Sequence, residues 1–395
     1  MGLTKRLELL GKTDWILVLT VLVLLIFGLA ISAGISTSSL QEAMASAVLR
    51  RQALWVGIGV AIMAVSALIN YRWLRSLALP LYLATVGLLA AVLRFGVVVG
   101  GARRWIEIGS QTVQPSEFAK ILVIVTLAHQ LSRKSIEEED EPRTWFDLAW
   151  AMVHVAIPAV LVLAQPDLGT ALVFIAILFG ELYISGFSPW RLLAALGVGA
   201  AGTASALVAN LRYGIDVPFL RPHMINRLVS FVDPSADPTG AGYQLQQSII
   251  AIGSGRVTGN GLFRGIAAPL SFLPEQHTDF VFSSLAERTG FLGTSMLLVL
   301  FLVMLLRMLS AASSAEDEFG AAIVVGVVSM LFFHVLVNVG MAVGLMPVTG
   351  LPLPFISYGR SALVADMVAV GLVINVGIRS GTSKPGSTKR SYISR

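Results

Sequence analysis

Five ionisable residues crowd the segment PLSFLPEQHTDFVFSSLAERTG, residues 269–290: Glu275, His277, Asp279, Glu287 and Arg288. Long apolar stretches lie on either side. Charge beside a hydrocarbon core is expensive and persists where it pairs, lines a wet cavity or performs chemistry. Asp279 directly precedes the apolar run 280–285 and is expected at the mouth of a membrane helix, where a carboxylate can face a lipid head group. A lone loop Asp is usually a cap, but His277 stands beside this one and Arg256, Arg264 and Arg288 lie in the same region. One carboxylate among basic neighbours suits proton abstraction next to an anionic leaving group. It does not suit metallohydrolysis or a serine nucleophile, because the chain has no HExxH, GxSxG, phosphate-loop or thiolate constellation.

Other polar residues gather in the segments between apolar runs. In GGARRWIEIGSQTVQPSEFAK, residues 100–120, Arg103 and Arg104 can grip phosphate as charge-assisted donors, and Trp105 can stack on a sugar. Equally, arginines snorkel and tryptophan belongs to the interfacial belt. Glu117 and Lys120 are three apart on a helix and read first as a structural ion pair, with substrate contact as the alternative. Asp167 in QPDLGT can cap the helix that follows it and still face a cavity. The glycines at 253, 255, 259 and 261 have the wrong spacing for a dinucleotide site; a plain turn, or amides near a lipid pyrophosphate, remain. His334 and Asn338 share a helix face, where interhelical hydrogen bonding explains them. Asp366 lies two turns inside its helix and needs a partner, either Lys120 or water.

The elements that must position these residues follow from hydropathy. The chain has 395 residues, 55% hydrophobic and 13% charged, with mean hydropathy +0.79. A soluble globule carries about 25% charge. Apolar runs at 15–35, 52–70, 76–95, 116–132, 148–164, 168–186, 189–210, 281–308, 320–345 and 358–378 predict about ten membrane helices, each near the length that spans a core of about 30 Å. The expected fold is an all-α polytopic membrane domain over 1–379. A large, partly helical extracytoplasmic loop, about 211–281, separates helices 7 and 8, and QLQQSIIAI at 244–252 reads as an amphipathic helix within it. Residues 380–395 read as a basic, disordered cytoplasmic tail. The first apolar run is too long for a signal peptide's core and lacks a cleavage site, so it is expected to be a retained helix. No cysteine is present, which removes disulfides and thiolate metal sites.

Orientation follows from the short loops. With the N-terminus inside, the inner segments hold fifteen Lys and Arg, against Arg50, Arg51, Arg94, Arg103, Arg104 and Arg360 outside, leaving out the long 211–281 loop. Both termini are therefore expected in the cytoplasm.

Six segments in order, GARRWI (101–106), QPSEFAK (114–120), QPDLGTAL (165–172), DPTGAGYQLQQSIIAIGSG (237–255), FLPEQHTDFVF (272–282) and NVGMAVGLMPVTGLPLPFISYG (338–359), resemble the SEDS family of peptidoglycan polymerases typified by RodA and FtsW. QPDLGT and PEQHTDF are more similar to the RodA, cell-elongation branch; the FtsW, cell-division branch stays open. The resemblance implies a glycosyltransferase of the bacterial cytoplasmic membrane. It would act on lipid II from the outer face and release undecaprenyl pyrophosphate. It implies Asp279 as general base, with Glu117, Lys120, Arg103, Arg104, Trp105, His277, Glu275, Asp167 and Ser357 as substrate or cavity positions. It also implies a class B penicillin-binding protein and other elongation-complex membrane proteins as partners, and no nucleic acid. Mg²⁺ or Mn²⁺ is compatible with the pyrophosphate, although no ligand set announces either ion. Two residues depart from the family pattern: Arg288 follows Glu287 where a second acid is usual, and Arg360 ends SYGR where glycine is usual. A lipid II flippase, which would transport without making polymer, and a scaffold, which would not need Asp279, are the competing classes.

Overall fold

A computed structural model of the chain describes residues 11–34, 42–99, 102–109, 111–137, 143–214, 222–238, 240–261 and 278–380. Among these residues the helices are α1 (Trp15–Gly34), α2 (Glu42–Leu68), α3 (Trp73–Ser76), α4 (Ala78–Phe95), α5 (Pro115–Glu137), α6 (Trp145–Ala164), α7 (Leu168–Ile184), α8 (Pro189–Tyr213), α9 (Pro222–Val232), α10 (Ala241–Ser254), α11 (Val281–Ser313), α12 (Glu318–Ala342) and α13 (Arg360–Arg379). Ten of them coincide one for one with the apolar runs; α3, α9 and α10 are shorter additions. Eight of the ten are long and apolar enough to cross a membrane. Of the other two, α7 is apolar but has 17 residues, and α5 carries Glu117 and Lys120 among its apolar positions. The architecture is that of an all-α, multi-pass membrane protein.

One feature departs from the all-α expectation. Strands β1 (Val97–Val99), β2 (Ala102–Ile108) and β3 (Gln111–Val113) form a small antiparallel sheet in order between α4 and α5. The segment around Arg103 and Arg104 is thus a strand and not an irregular loop.

The chain divides into two compact units. The first comprises Met1–Ile69, Asn226–Ser310 and Leu331–Ile374. Within it α2 and α13 approach closely, since a Cβ on Gly371 would come within 2.6 Å of the Met63 carbonyl oxygen. The irregular segment 343–359 packs on α1 at Gly28, where a Cβ would meet Phe355 O at 2.7 Å. Phe355 is held at φ 64°, a left-handed conformation that a bulky residue adopts only when its surroundings force it; its side chain is buried.

Helix α11 is broken at Gly290, with φ 64° and ψ −165°. The break frees main-chain groups that hydrocarbon cannot satisfy. The glycine-rich segment after α10 satisfies them: Phe291 N donates to Arg256 O (2.9 Å), Leu292 N to Val257 O (3.0 Å), Asn260 N to Glu287 O (3.0 Å) and Gly261 N to Arg288 O (3.0 Å). A Cβ on Gly259 would collide with the Arg288 carbonyl, and one on Gly290 with Gly259 N. The glycines at 259 and 261 therefore belong to a turn laid on the helix break, and the Asn260 and Gly261 amides are used within the chain. A piece of two turns, 281–289, is set apart from the longer remainder of α11.

The second unit comprises Asn70–Ile225, Ala311–Met330 and Asn375–Arg395, of which residues to 380 are described. Its core follows the helical period: Ala119, Val123, Leu127 and Leu131 recur every fourth residue on α5 and pack with Val155 and Val162 of α6 and Phe174 and Leu178 of α7. At the far end of α5 from the sheet, Tyr71 Oη donates to Asp317 Oδ1 (2.9 Å), Tyr71 N to Asn375 Oδ1 (3.2 Å), and Arg379 Nη1 to the same Asn375 oxygen (2.7 Å). Arg72 pairs with Glu316. Burial, then the Asp317 carboxylate, pushes the Tyr71 phenol well above its ordinary range.

Candidate active site

In the first unit, Asp279 lies in the turn just before α11, as its place before an apolar run suggested. Phe280 anchors that turn: it is fully buried and packs with Met341 of α12 and Val348. Two side chains hold the peptide groups on either side of it. Asn338 on α12 donates through Nδ2 to Asp279 O (2.9 Å) and to Leu351 O (2.8 Å). Ser357 donates to Thr278 O (2.6 Å) and accepts from Leu353 N (2.8 Å). The carboxylate lies beside Gly350, where a Cβ would stand 3.3 Å from Asp279 Oδ2. Asp279 itself is partly exposed. The geometry thus fixes the backbone of an acid and keeps one side of its carboxylate clear of side-chain bulk.

The piece 281–289 is steadied from α10 as well. Ser248 and Ser283 hydroxyls meet at 2.5 Å, and Ser248 lies 2.7 Å from Ala342 O at the end of α12. Glu275 and His277, the other candidates of this segment, lie outside the described residues. Arg288 is buried at the helix break and Glu287 is partly buried beside it.

In the second unit the remaining candidates fall into two groups. Lys120 Nζ and Glu117 Oε2 form an ion pair at 2.8 Å with both side chains buried, the i,i+3 pairing expected on α5. At the start of α7, Asp167 accepts from Thr170 N (3.0 Å), which makes it the expected N-cap. It also accepts from Gln114 Nε2 at 3.1 Å and pairs with Arg104 Nη1 at 3.5 Å. Sequence reading found the cap but not its two further partners, which come from β2 and the residue before α5. Arg103 and Arg104 are consecutive on a strand, so they point to opposite faces. Arg104 faces Asp167, Arg103 is exposed on the other face, and Trp105 sits at the position paired with Val97. As side chains of one strand they cannot act as adjacent phosphate donors on one face.

Asn338 is the residue that sequence reasoning placed in another role. It does not bond helix to helix. Both hydrogens of its amide go to carbonyls in non-helical segments. Among the described residues no three His, Asp or Glu side chains converge as ligands for a metal ion.

This fold and these motifs define a class of multi-pass membrane protein, and the chain belongs to the FtsW/RodA/SpoVE family of cell cycle proteins, whose model matches residues 14–381. Among its relatives, the peptidoglycan glycosyltransferase MrdB of Escherichia coli (strain K12) is 40% identical over 322 residues, 81% of this chain and 83% of that one. A probable peptidoglycan glycosyltransferase FtsW of Thiomicrospira cyclica is 36% identical over 397 residues, 98% of this chain and 97% of its own. A solved chain from work on the structural coordination of polymerization and crosslinking by a peptidoglycan synthase complex superposes with a TM-score of 0.77 at 31% identity, covering 94% of this chain and 99% of that one.

Proposed function

We propose that this chain, a peptidoglycan glycosyltransferase, polymerises lipid II at the outer face of the bacterial cytoplasmic membrane, with Asp279 as the general base. The GlcNAc 4-hydroxyl of the acceptor attacks the anomeric carbon of the donor MurNAc. Asp279 takes the hydroxyl proton, undecaprenyl pyrophosphate leaves with the bonding electrons, and a β-1,4 link forms with inversion. The observation that carries this reading is the setting of Asp279: a partly exposed carboxylate on a turn whose flanking carbonyls are fixed by Asn338 and Ser357. A general base contributes about 10²- to 10⁴-fold to rate when its geometry is held. A Mg²⁺ or Mn²⁺ ion would come with the pyrophosphate oxygens and take at most one or two carboxylates from the chain, as such ions commonly do at phosphate groups.

The fifteen-to-six excess of Lys and Arg supports cytoplasmic termini and an outward-facing site. A class B penicillin-binding protein is the proposed partner, which would crosslink the new strand; the likeness to a chain of a synthase complex supports it. Cell elongation is the favoured role, in keeping with the likeness of QPDLGT and PEQHTDF to the RodA branch. Septal synthesis is the second reading, favoured by a likeness to FtsW that covers 98% of the chain. The test of the reaction is polymerisation of labelled lipid II by the purified chain. Asp279→Asn should fold and bind lipid II yet make almost no glycan, and near wild-type polymerisation by that variant would overturn the assignment. Depletion separates the two roles, since loss of rod shape marks elongation and filamentation marks division.

A further inference from the structure

We infer that Asn338 is a positioning residue for the reaction, acting through Asp279, with Ser357 as the second half of the same clamp. The inference rests on the reading of Asp279 as general base. Residues 278–280 form a turn ahead of α11, anchored by the buried Phe280 and not held by helical hydrogen bonds of its own. The carbonyls of Thr278 and Asp279 are taken by side chains from distant parts of the chain.

Asn338 is fully buried on α12. Its two acceptors are both carbonyl oxygens, so only the amide nitrogen can face them, and the orientation of the side chain is settled by chemistry. Its Oδ1 is buried with no hydrogen-bond partner, so the residue contributes through its nitrogen alone. By joining Asp279 O to Leu351 O it ties the turn bearing the carboxylate to the segment whose Gly350 lies against that carboxylate. Ser357 repeats the arrangement one residue earlier, bridging Thr278 O and Leu353 N. Both side chains fix where the base stands through the main chain on either side of it.

A displaced base loses rate before it loses substrate affinity, and a shift of about 1 Å costs on the order of 10²-fold. The experiment compares Asn338→Leu, Ser357→Ala and Asp279→Asn in the full chain, with initial rates of lipid II polymerisation measured against lipid II concentration. Asn338→Leu is expected to lower kcat by about ten- to a hundredfold with KM within about twofold of wild type, and Ser357→Ala to do the same less severely. In an Asp279→Asn background, single-turnover rates should show no further loss from Asn338→Leu, because the group it positions is already gone.

Several outcomes would overturn the inference. They are wild-type kcat in a folded Asn338→Leu, a loss confined to KM, or an equal proportional loss with and without the Asp279 carboxylate. If Asn338→Leu yields no folded protein, Ser357→Ala is judged by the same criteria, and failure of both to fold makes the clamp purely structural. A different result strikes the functional reading itself: if Asp279→Asn polymerises normally, the base assignment fails whatever Asn338 does.

Discussion

The candidate acids of the two units are held in different ways. In the second, three acids are matched to cations: Glu117 to Lys120 inside α5, Asp167 to Arg104 of β2, and Glu316 to Arg72 at the far end. In the first, the turn of Asp279 is held by neutral donors that bind peptide carbonyls and not the carboxylate. An ion pair fixes an acid through its carboxylate, whereas a main-chain clamp fixes an acid through its backbone. That difference separates groups that hold shape from the group proposed to do chemistry.

The sharpest way to break the comparison is to neutralise one acid of each kind. Asp279→Asn should leave the melting temperature of the protein within a few degrees and lower lipid II polymerisation by about 10²- to 10⁴-fold. Glu117→Gln should act mainly on stability, because the buried Lys120 then loses the carboxylate at 2.8 Å; breaking a buried pair costs about 3–5 kcal/mol. A double-mutant cycle with Lys120→Met should recover much of that loss. Intact stability in Glu117→Gln, with activity losses that simply add to those of Lys120→Met, would move the pair from structure to substrate.

A smaller effect separates Arg103 from Arg104. Arg104→Gln removes the ion pair to Asp167, and Asp167→Ala removes that pair together with the α7 cap and the Gln114 bond. Asp167→Ala should cost about 2 kcal/mol in denaturant unfolding, and Arg104→Gln less. Arg103→Gln, on the exposed face of the strand, should leave stability within about 0.5 kcal/mol. A lowered affinity for lipid II in Arg103→Gln alone would show that the free face of β2 meets substrate. Equal destabilisation by the two Arg variants would contradict the split between the faces.

What could be read from the sequence depended on range. All ten long helices were legible because about twenty apolar residues in succession carry their own signal, and α10 was legible from its amphipathic period. The Glu117–Lys120 pair and the Asp167 cap were legible too, since each is decided within three residues. The small sheet was not, because strands of three to seven residues between membrane helices leave little pattern to detect. The break in α11 was hidden for another reason. SLAERTGFLG reads as continuous helix, and the break at Gly290 is satisfied by residues 256–261, some thirty positions upstream. Asn338 is the plainest case: its partners are carbonyls 59 and 13 residues away, and main-chain acceptors write nothing into the sequence.

A last effect, on stability alone, lies at the far end of the second unit, where Tyr71 joins Asp317 and Asn375. Tyr71 is almost wholly buried, and burial together with the neighbouring Asp317 carboxylate raises the pKa of its phenol. In the unfolded chain a tyrosine ionises near pH 10. Below that pH the phenol is neutral in both states, and its hydrogen bond to Asp317 contributes fully. As pH rises past about 10 the unfolded chain loses the proton while the folded chain keeps it, so the unfolded state is favoured and stability falls. Wild-type melting temperature should therefore be insensitive to this group up to about pH 10 and decline above it. Tyr71→Phe should lower stability by about 1 kcal/mol at neutral pH, the net worth of one hydrogen bond, and should flatten the alkaline decline. Equal alkaline slopes in the two proteins would show that the decline comes from other groups. Unchanged polymerisation by Tyr71→Phe would complete the contrast, leaving the paired end of the molecule to stability and the clamped turn to catalysis.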